Sequence, residues 1–174
     1  MKKIILLLTF ILFTSLAHAD SDVTRTGGWK KIGSNVTLIN LTNSVGIGTV
    51  SPTVSLDVVG SFRLAPVALT DAATIATDAS RGNTFTVTLG GARTLDTPTN
   101  PVHGQKIIYI VSQDAVGSRT LAYSPAFRFS TDLPSPTLTT TAGAQDYLGF
   151  VYNARGVVAR YLSWDCVAVV KGYA

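Results

Sequence analysis

The sequence predicts an all-β protein: a short β-rich connector followed by a β-sandwich or jelly-roll-like domain. Three observations carry this reading. Thr and Val are abundant while strong helix formers are scarce, and every acidic residue is Asp, with no Glu. Apolar residues recur at alternate positions in short runs, the clearest being Thr84-Phe85-Thr86-Val87-Thr88-Leu89. Clusters of Gly, Pro, Asn and Asp punctuate the chain at intervals of about ten residues, the spacing of strands in a sandwich.

Residues 1–19 read as a secretory signal peptide rather than as part of the fold. Lys2 and Lys3 precede an apolar run from Ile4 to Leu16, and Ala17-His18-Ala19 supplies the small-x-small cleavage pattern. The run is shorter than the ~20 residues a spanning helix needs, so no stable membrane insertion is expected after cleavage. The expected destination is extracellular, with the cell surface or the periplasm as the alternatives. About 155 residues then remain, enough to bury a core without a disulfide framework. The single Cys166 agrees. Twelve basic residues then face ten acidic ones, and they are scattered, so the basic stripe of a nucleic-acid groove is missing.

The elements follow in order. Asp20 to Gly28 is a polar, Gly-rich lead-in. Val36 and Leu38 alternate with polar neighbours, and Ile39 and Leu41 then fall on the other face, a phase shift expected of a bulge or two-sided burial. Val45 to Gly60 holds two short runs around Ser51-Pro52, which interrupts the strand. The character changes at about Ala65, so 20–64 is expected to be the extension and connector and 65–174 the tip. Leu69 to Ala76 leads into a first strand. Thr84 to Leu89 points Phe85, Val87 and Leu89 inward. Gly90-Gly91 reads as a two-residue hairpin, with Ala92 to Leu95 returning. Lys106 to Val111 is Ile-rich without alternation, as in a strand buried on both faces. Thr120 to Tyr123, Tyr147 to Tyr152 and Arg160 to Val170 complete the strands, with Thr137 to Thr141 extended.

The stretch Val45-Gly46-Ile47-Gly48-Thr49-Val50-Ser51-Pro52, continuing to Leu56-Asp57-Val58-Val59-Gly60, resembles the "VGIGTTSP…LDVxG" element of phage tail fibres and secreted bacterial fibre-like proteins. It departs at Val50 and Val59, and neither change touches a glycine. The resemblance implies a connector, usually trimeric, that carries a separate β-structured tip. Gly82 to Leu95, Gly104-Gln105, Gly117 to Leu121, Asp146 to Asn153 and Trp164 to Gly172 resemble the tips of such fibres, with Ala154 to Ser163 longer than their usual hairpin. A segment this short cannot fold alone. It must pack on its own C-terminal domain or on further copies, and the resemblance favours a homotrimer built through Ile47, Leu56 and Val58.

Catalytic and metal chemistry finds little support. Past the leader there is one His, His103, and one Cys, against the four ligands of a structural zinc site. The Asp residues sit singly, mostly in turns, where the side chain caps local backbone. No Gly-x-Ser-x-Gly elbow occurs, and Gly46-Ile47-Gly48 lacks the third glycine and the helix of a dinucleotide loop. No enzyme, cofactor or metal is expected. Aromatic residues remain as candidates for stacking on sugar: Tyr123 and Phe127 near Pro125, and Tyr152 and Tyr161 beside the last hairpin. The expectation is a non-enzymatic secreted fibre-like protein whose tip binds a cell surface or glycan. The alternative is a structural subunit of an extracellular filament, or a decoration protein, without a ligand.

Overall fold

The computed structural model describes residues 29–32, 35–38, 44–154 and 162–173. The chain divides into two compact units, Met1–Phe62 and Arg63–Ala174. Nearly all regular structure is β, as expected, but the sheets are mixed and partly parallel. No helix among the described residues is long and apolar enough to cross a membrane.

The first unit holds two separate strand pairs. β1 (Trp29–Ile32) and β2 (Asn35–Leu38) run antiparallel. β3 (Val45–Ile47) and β4 (Leu56–Val58) run parallel, with Val45 opposite Leu56 and Ile47 opposite Val58. The predicted phase shift at Ile39 and Leu41 lies outside the described residues.

The second unit contains β5 (Val67–Ala68), β6 (Thr74–Ile75), β7 (Thr84–Leu89), β8 (Arg93–Leu95) and β9 (Lys106–Gln113). β10 (Leu121–Tyr123), β11 (Phe127–Arg128), β12 (Gln145–Ala154) and β13 (Leu162–Tyr173) follow. A six-stranded sheet has the order β11-β13-β12-β9-β7-β5, and a three-stranded sheet the order β10-β8-β6. From β5 to β10 the chain alternates between the sheets. β5, β7 and β9 are parallel in the large one, and β6, β8 and β10 are parallel in the small one. Parallel neighbours need a long crossover, and each crossover here runs through a strand of the other sheet. The antiparallel hairpin β12–β13 then closes one side, and β11 adds to it in parallel.

This route overturns the hairpin expected at Gly90-Gly91. β7 and β8 do not pair; they lie in different sheets. The two glycines serve an ion pair instead. Arg93 grips Asp71 through Nε and Nη2, both at 2.7 Å, and the Gly90 amide donates to Asp71 at 3.1 Å. A Cβ at Gly90 would come within 2.9 Å of Asp71 Oδ2, and one at Gly91 within 2.6 Å of Arg93 Nη1. The next crossover repeats the device. Asp114 accepts from Arg119 Nη2 at 2.7 Å and from the amides of Val116 and Gly117.

These hydrogen bonds make part of the stability depend on acid. The bond from Arg93 holds the Asp71 carboxyl below the usual carboxylate range, and that from Asn100, with Ser80, does the same for Asp78. The bond from Arg119 takes Asp114 down to about 2. The folded state therefore binds these protons less tightly than the unfolded chain does. The contribution is complete above the unfolded value of ~3.9 and is lost as pH falls through the folded ones. The melting temperature is expected to be flat between about pH 5 and 7 and to fall steadily between about pH 4 and 2. A melting temperature at about pH 2.5 equal to that at neutrality would contradict this.

In-register stacks build the core. Val67, Phe85, Tyr109 and Leu148 are successive partners across β5, β7, β9 and β12. In the small sheet Ile75 faces Leu95, and Leu95 faces Tyr123. Both stacks enter one apolar cluster with Phe127, Phe150 and Trp164. At its centre Tyr109 packs against Phe85, Phe127 and Phe150 at ring distances of 5.7, 6.3 and 6.1 Å. Its hydroxyl donates to Thr77 Oγ1 at 3.0 Å.

β9 corrects a second expectation. It is not buried on both faces: Ile107, Tyr109 and Val111 point inward, while Ile108 is 44% exposed and Ile110 half-buried. In β13 Cys166 is buried while Ala168, two residues on, is exposed. A register shift at Gly149/Phe150 separates the two.

One carboxylate lies wholly inside. Asp146 accepts from the Thr139 amide at 2.6 Å, from Thr139 Oγ1 at 2.8 Å and from the Gly172 amide at 2.9 Å. It thereby ties the extended 137–141 segment to the last two strands. Replacing Asp146 with Asn turns one of its two acceptor oxygens into a donor and leaves a part-buried amide without its partner. Asp146→Asn is expected to cost about 2 kcal/mol, read from the urea midpoint. A loss under about 0.5 kcal/mol would contradict that role.

Candidate functional site

The connector and the tip each present one candidate surface. In the connector, Gly48 adopts φ +75°, which favours glycine, and a Cβ there would come within 2.5 Å of the Val59 carbonyl oxygen. That close approach, with the bond from the Val59 amide to the Ile47 carbonyl at 2.9 Å, carries β3 and β4 side by side. Asp57 fixes the intervening loop by accepting from the amide and hydroxyl of Thr53. Apolar side chains are left facing outward: Ile47 is 56% exposed and Leu56 60%, with Val50, Val54, Val59 and Phe62 exposed beside them in sequence. Val58 is half-buried. Two strands of three residues each make no core of their own, and a pair this small is marginal in water.

In the tip, the described aromatic residues expected at a sugar platform pack into or against the core instead. Phe127 is corrected outright: at 5% exposure it belongs to the core, 4.8 Å from the Phe150 ring, with no face for a ligand. Tyr123 is half-buried, with its hydroxyl oxygen enclosed, and packs against Phe127 and Phe129. Burial pushes its phenol well above the ordinary range. Tyr152 is half-buried against Trp164, with ring centroids 5.0 Å apart. Tyr161 lies outside the described residues.

The polar grouping that the tip does assemble was not anticipated. β11 pairs with β13 so that Phe127 faces Trp164 on the inside and Arg128 faces Asp165 on the outside. Arg128 Nε donates to Asp165 Oδ1 at 2.9 Å. Ser163 Oγ donates to the same oxygen at 2.8 Å, and Asn153 Nδ2 to the other at 3.1 Å. Burial raises the Asp165 carboxyl, but the bonds from Arg128, Asn153 and Ser163 together outweigh it and hold the group below its ordinary value. Beside this network opens a cavity of about 580 Å³, lined by Arg128, Phe129, Ser130, Asp165 and Cys166. Burial pushes the Cys166 thiol up, away from the thiolate that nucleophilic chemistry needs. One signal in the sequence marked the place: Asp165 stands alone within the apolar run Trp164 to Val170.

Comparison with protein-family models, curated protein sequences and solved structures finds no match for this chain.

Proposed function

We propose that the chain is a secreted, non-enzymatic, fibre-like protein, trimeric through its connector, with a sandwich-like tip that binds a cell surface or glycan. The observation that carries the reading is the connector's outward apolar row. Ile47, Leu56 and their neighbours have no core of their own to enter. Burying each side chain against another copy contributes roughly 1.5–3 kcal/mol, more than a three-residue pairing supplies. Equivalent segments of three chains close such a sheet on itself. Secretion rests on Lys2 to Ala19, and the tip's role as binder rests on its open cavity. Sedimentation of the purified protein tests the assembly: three chain masses are expected, and a stable monomer would sink the reading.

A specific observation favours the second reading, a filament subunit or decoration protein without a ligand. The aromatic side chains expected to meet sugar are spent on the core, Phe127 above all. Electron microscopy separates the two, since continuous filaments support the subunit and discrete trimers the binder.

A further inference from the structure

We propose that the cavity beside β11 binds a carboxylate-bearing saccharide, its acid group on the free edge of Arg128 and its ring against Phe129. The inference rests on the reading of the tip as a glycan binder and names the class of sugar. The cavity volume of about 580 Å³ falls within the ~300–1,000 Å³ typical of ligand sites.

The hydrogen-bonding capacity left over in this cavity decides the ligand. Asp165 already receives Arg128 Nε, Ser163 Oγ and Asn153 Nδ2, so its charge is matched and its oxygens are engaged. Its work is to hold the guanidinium in one plane. Arg128 spends only Nε on that bond; among the described residues Nη1 and Nη2 make none, and the side chain is 53% exposed. Ser130 Oγ accepts from the Leu133 amide at 3.0 Å, which leaves its O–H to give. Among the described side chains of the lining, what remains is donors: two Nη groups and a hydroxyl. The complementary ligand group is an acceptor with two coplanar oxygens, and the guanidinium fork matches a carboxylate in that geometry.

Phe129 supplies the second half of recognition. It is half-buried, propped by Tyr123 at 5.0 Å and Phe150 at 6.1 Å, and it lines the same cavity. An aromatic ring held in place offers a flat apolar surface for the C–H face of a pyranose. Carboxylate and apolar face occur together in uronic and sialic acids. A sulfate ester shares the charge but not the planar pair of oxygens.

Calorimetric titration of the full secreted chain tests this. The acidic probes are trigalacturonate and sialyllactose, the neutral ones galactotriose and lactose, and lactose sulfate is the third arm. At least one acidic probe is expected to bind, with its neutral counterpart tenfold weaker or worse. Arg128→Gln is expected to lower that affinity roughly tenfold, and Arg128→Lys, which keeps the charge without the fork, by less. Melting temperature and sedimentation of each variant establish that fold and assembly are intact. If Arg128→Gln fails to fold, Arg128→Lys and the neutral probes still decide the matter. Neutral sugars binding as tightly as acidic ones would overturn the acid assignment and leave the tip a glycan binder. Equal binding of lactose sulfate would overturn the carboxylate in favour of charge alone. No binding of any sugar by intact trimers would overturn both the inference and the glycan reading.

Discussion

Truncating Tyr109 to alanine is expected to cost the tip about 3–5 kcal/mol, the range for removing a large aromatic side chain from a core. The ring touches Phe85, Phe127 and Phe150, which come from three different strands of the large sheet. Its removal leaves a void that none of the three can fill without abandoning its own register. For a two-state unit of this size the melting temperature should fall by roughly 12–20 °C. Tyr109→Phe separates packing from hydrogen bonding. It keeps the ring and leaves only the buried Thr77 hydroxyl without its donor, for about 1 kcal/mol. Thermal unfolding followed by near-UV circular dichroism reads both. A Tyr109→Ala protein melting within a few degrees of the parent would mean that the core is not organised around this ring.

Changing Ile47 and Leu56 together to aspartate is expected to convert the proposed trimer to single chains. Both side chains are more than half exposed on the connector, so neither change disturbs a core within the chain. In the assembly three copies of each would bring six carboxylates to one small apolar seam, and burying an unpaired charge costs several kcal/mol. Analytical ultracentrifugation should show one chain mass in place of three. The melting of the tip should move little, because its core lies within Arg63–Ala174. Retention of the trimer would locate the assembly contact elsewhere and remove the connector's proposed role.

The strand content was legible where burial is one-sided and the side chains say so. Thr84 to Leu89 alternates in sequence and in space, with Phe85, Val87 and Leu89 inside. Lys106 to Val111 was legible as a strand but not in its burial, because β9 carries isoleucine on its outer face too, and an exposed Ile108 looks the same in sequence as a buried one. The turn at Gly90-Gly91 misled for a different reason. Paired glycines mark close backbone approach, and a hairpin is only one cause of it; here the cause is the Asp71–Arg93 pair, whose members stand far apart in sequence. The polar network of the tip needs the register of β11 on β13, which joins residues 37 positions apart. No local pattern encodes that. The Arg128 and Asp165 pairing therefore emerged only in three dimensions, while the aromatic residues that drew notice in the sequence went largely into the core.

The crossing of the chain between two sheets also governs how the tip acquires its structure. Most strands of the large sheet wait for a partner made later in the chain. β9 gains its second neighbour only when β12 has been synthesised, and β12 only when β13 follows at the C-terminus. Closing such distant contacts costs loop entropy before any burial rewards it, so topologies of this kind fold slowly, in milliseconds to seconds. The large sheet of this tip is therefore completed late, once β12 and β13 have joined the strands that precede them.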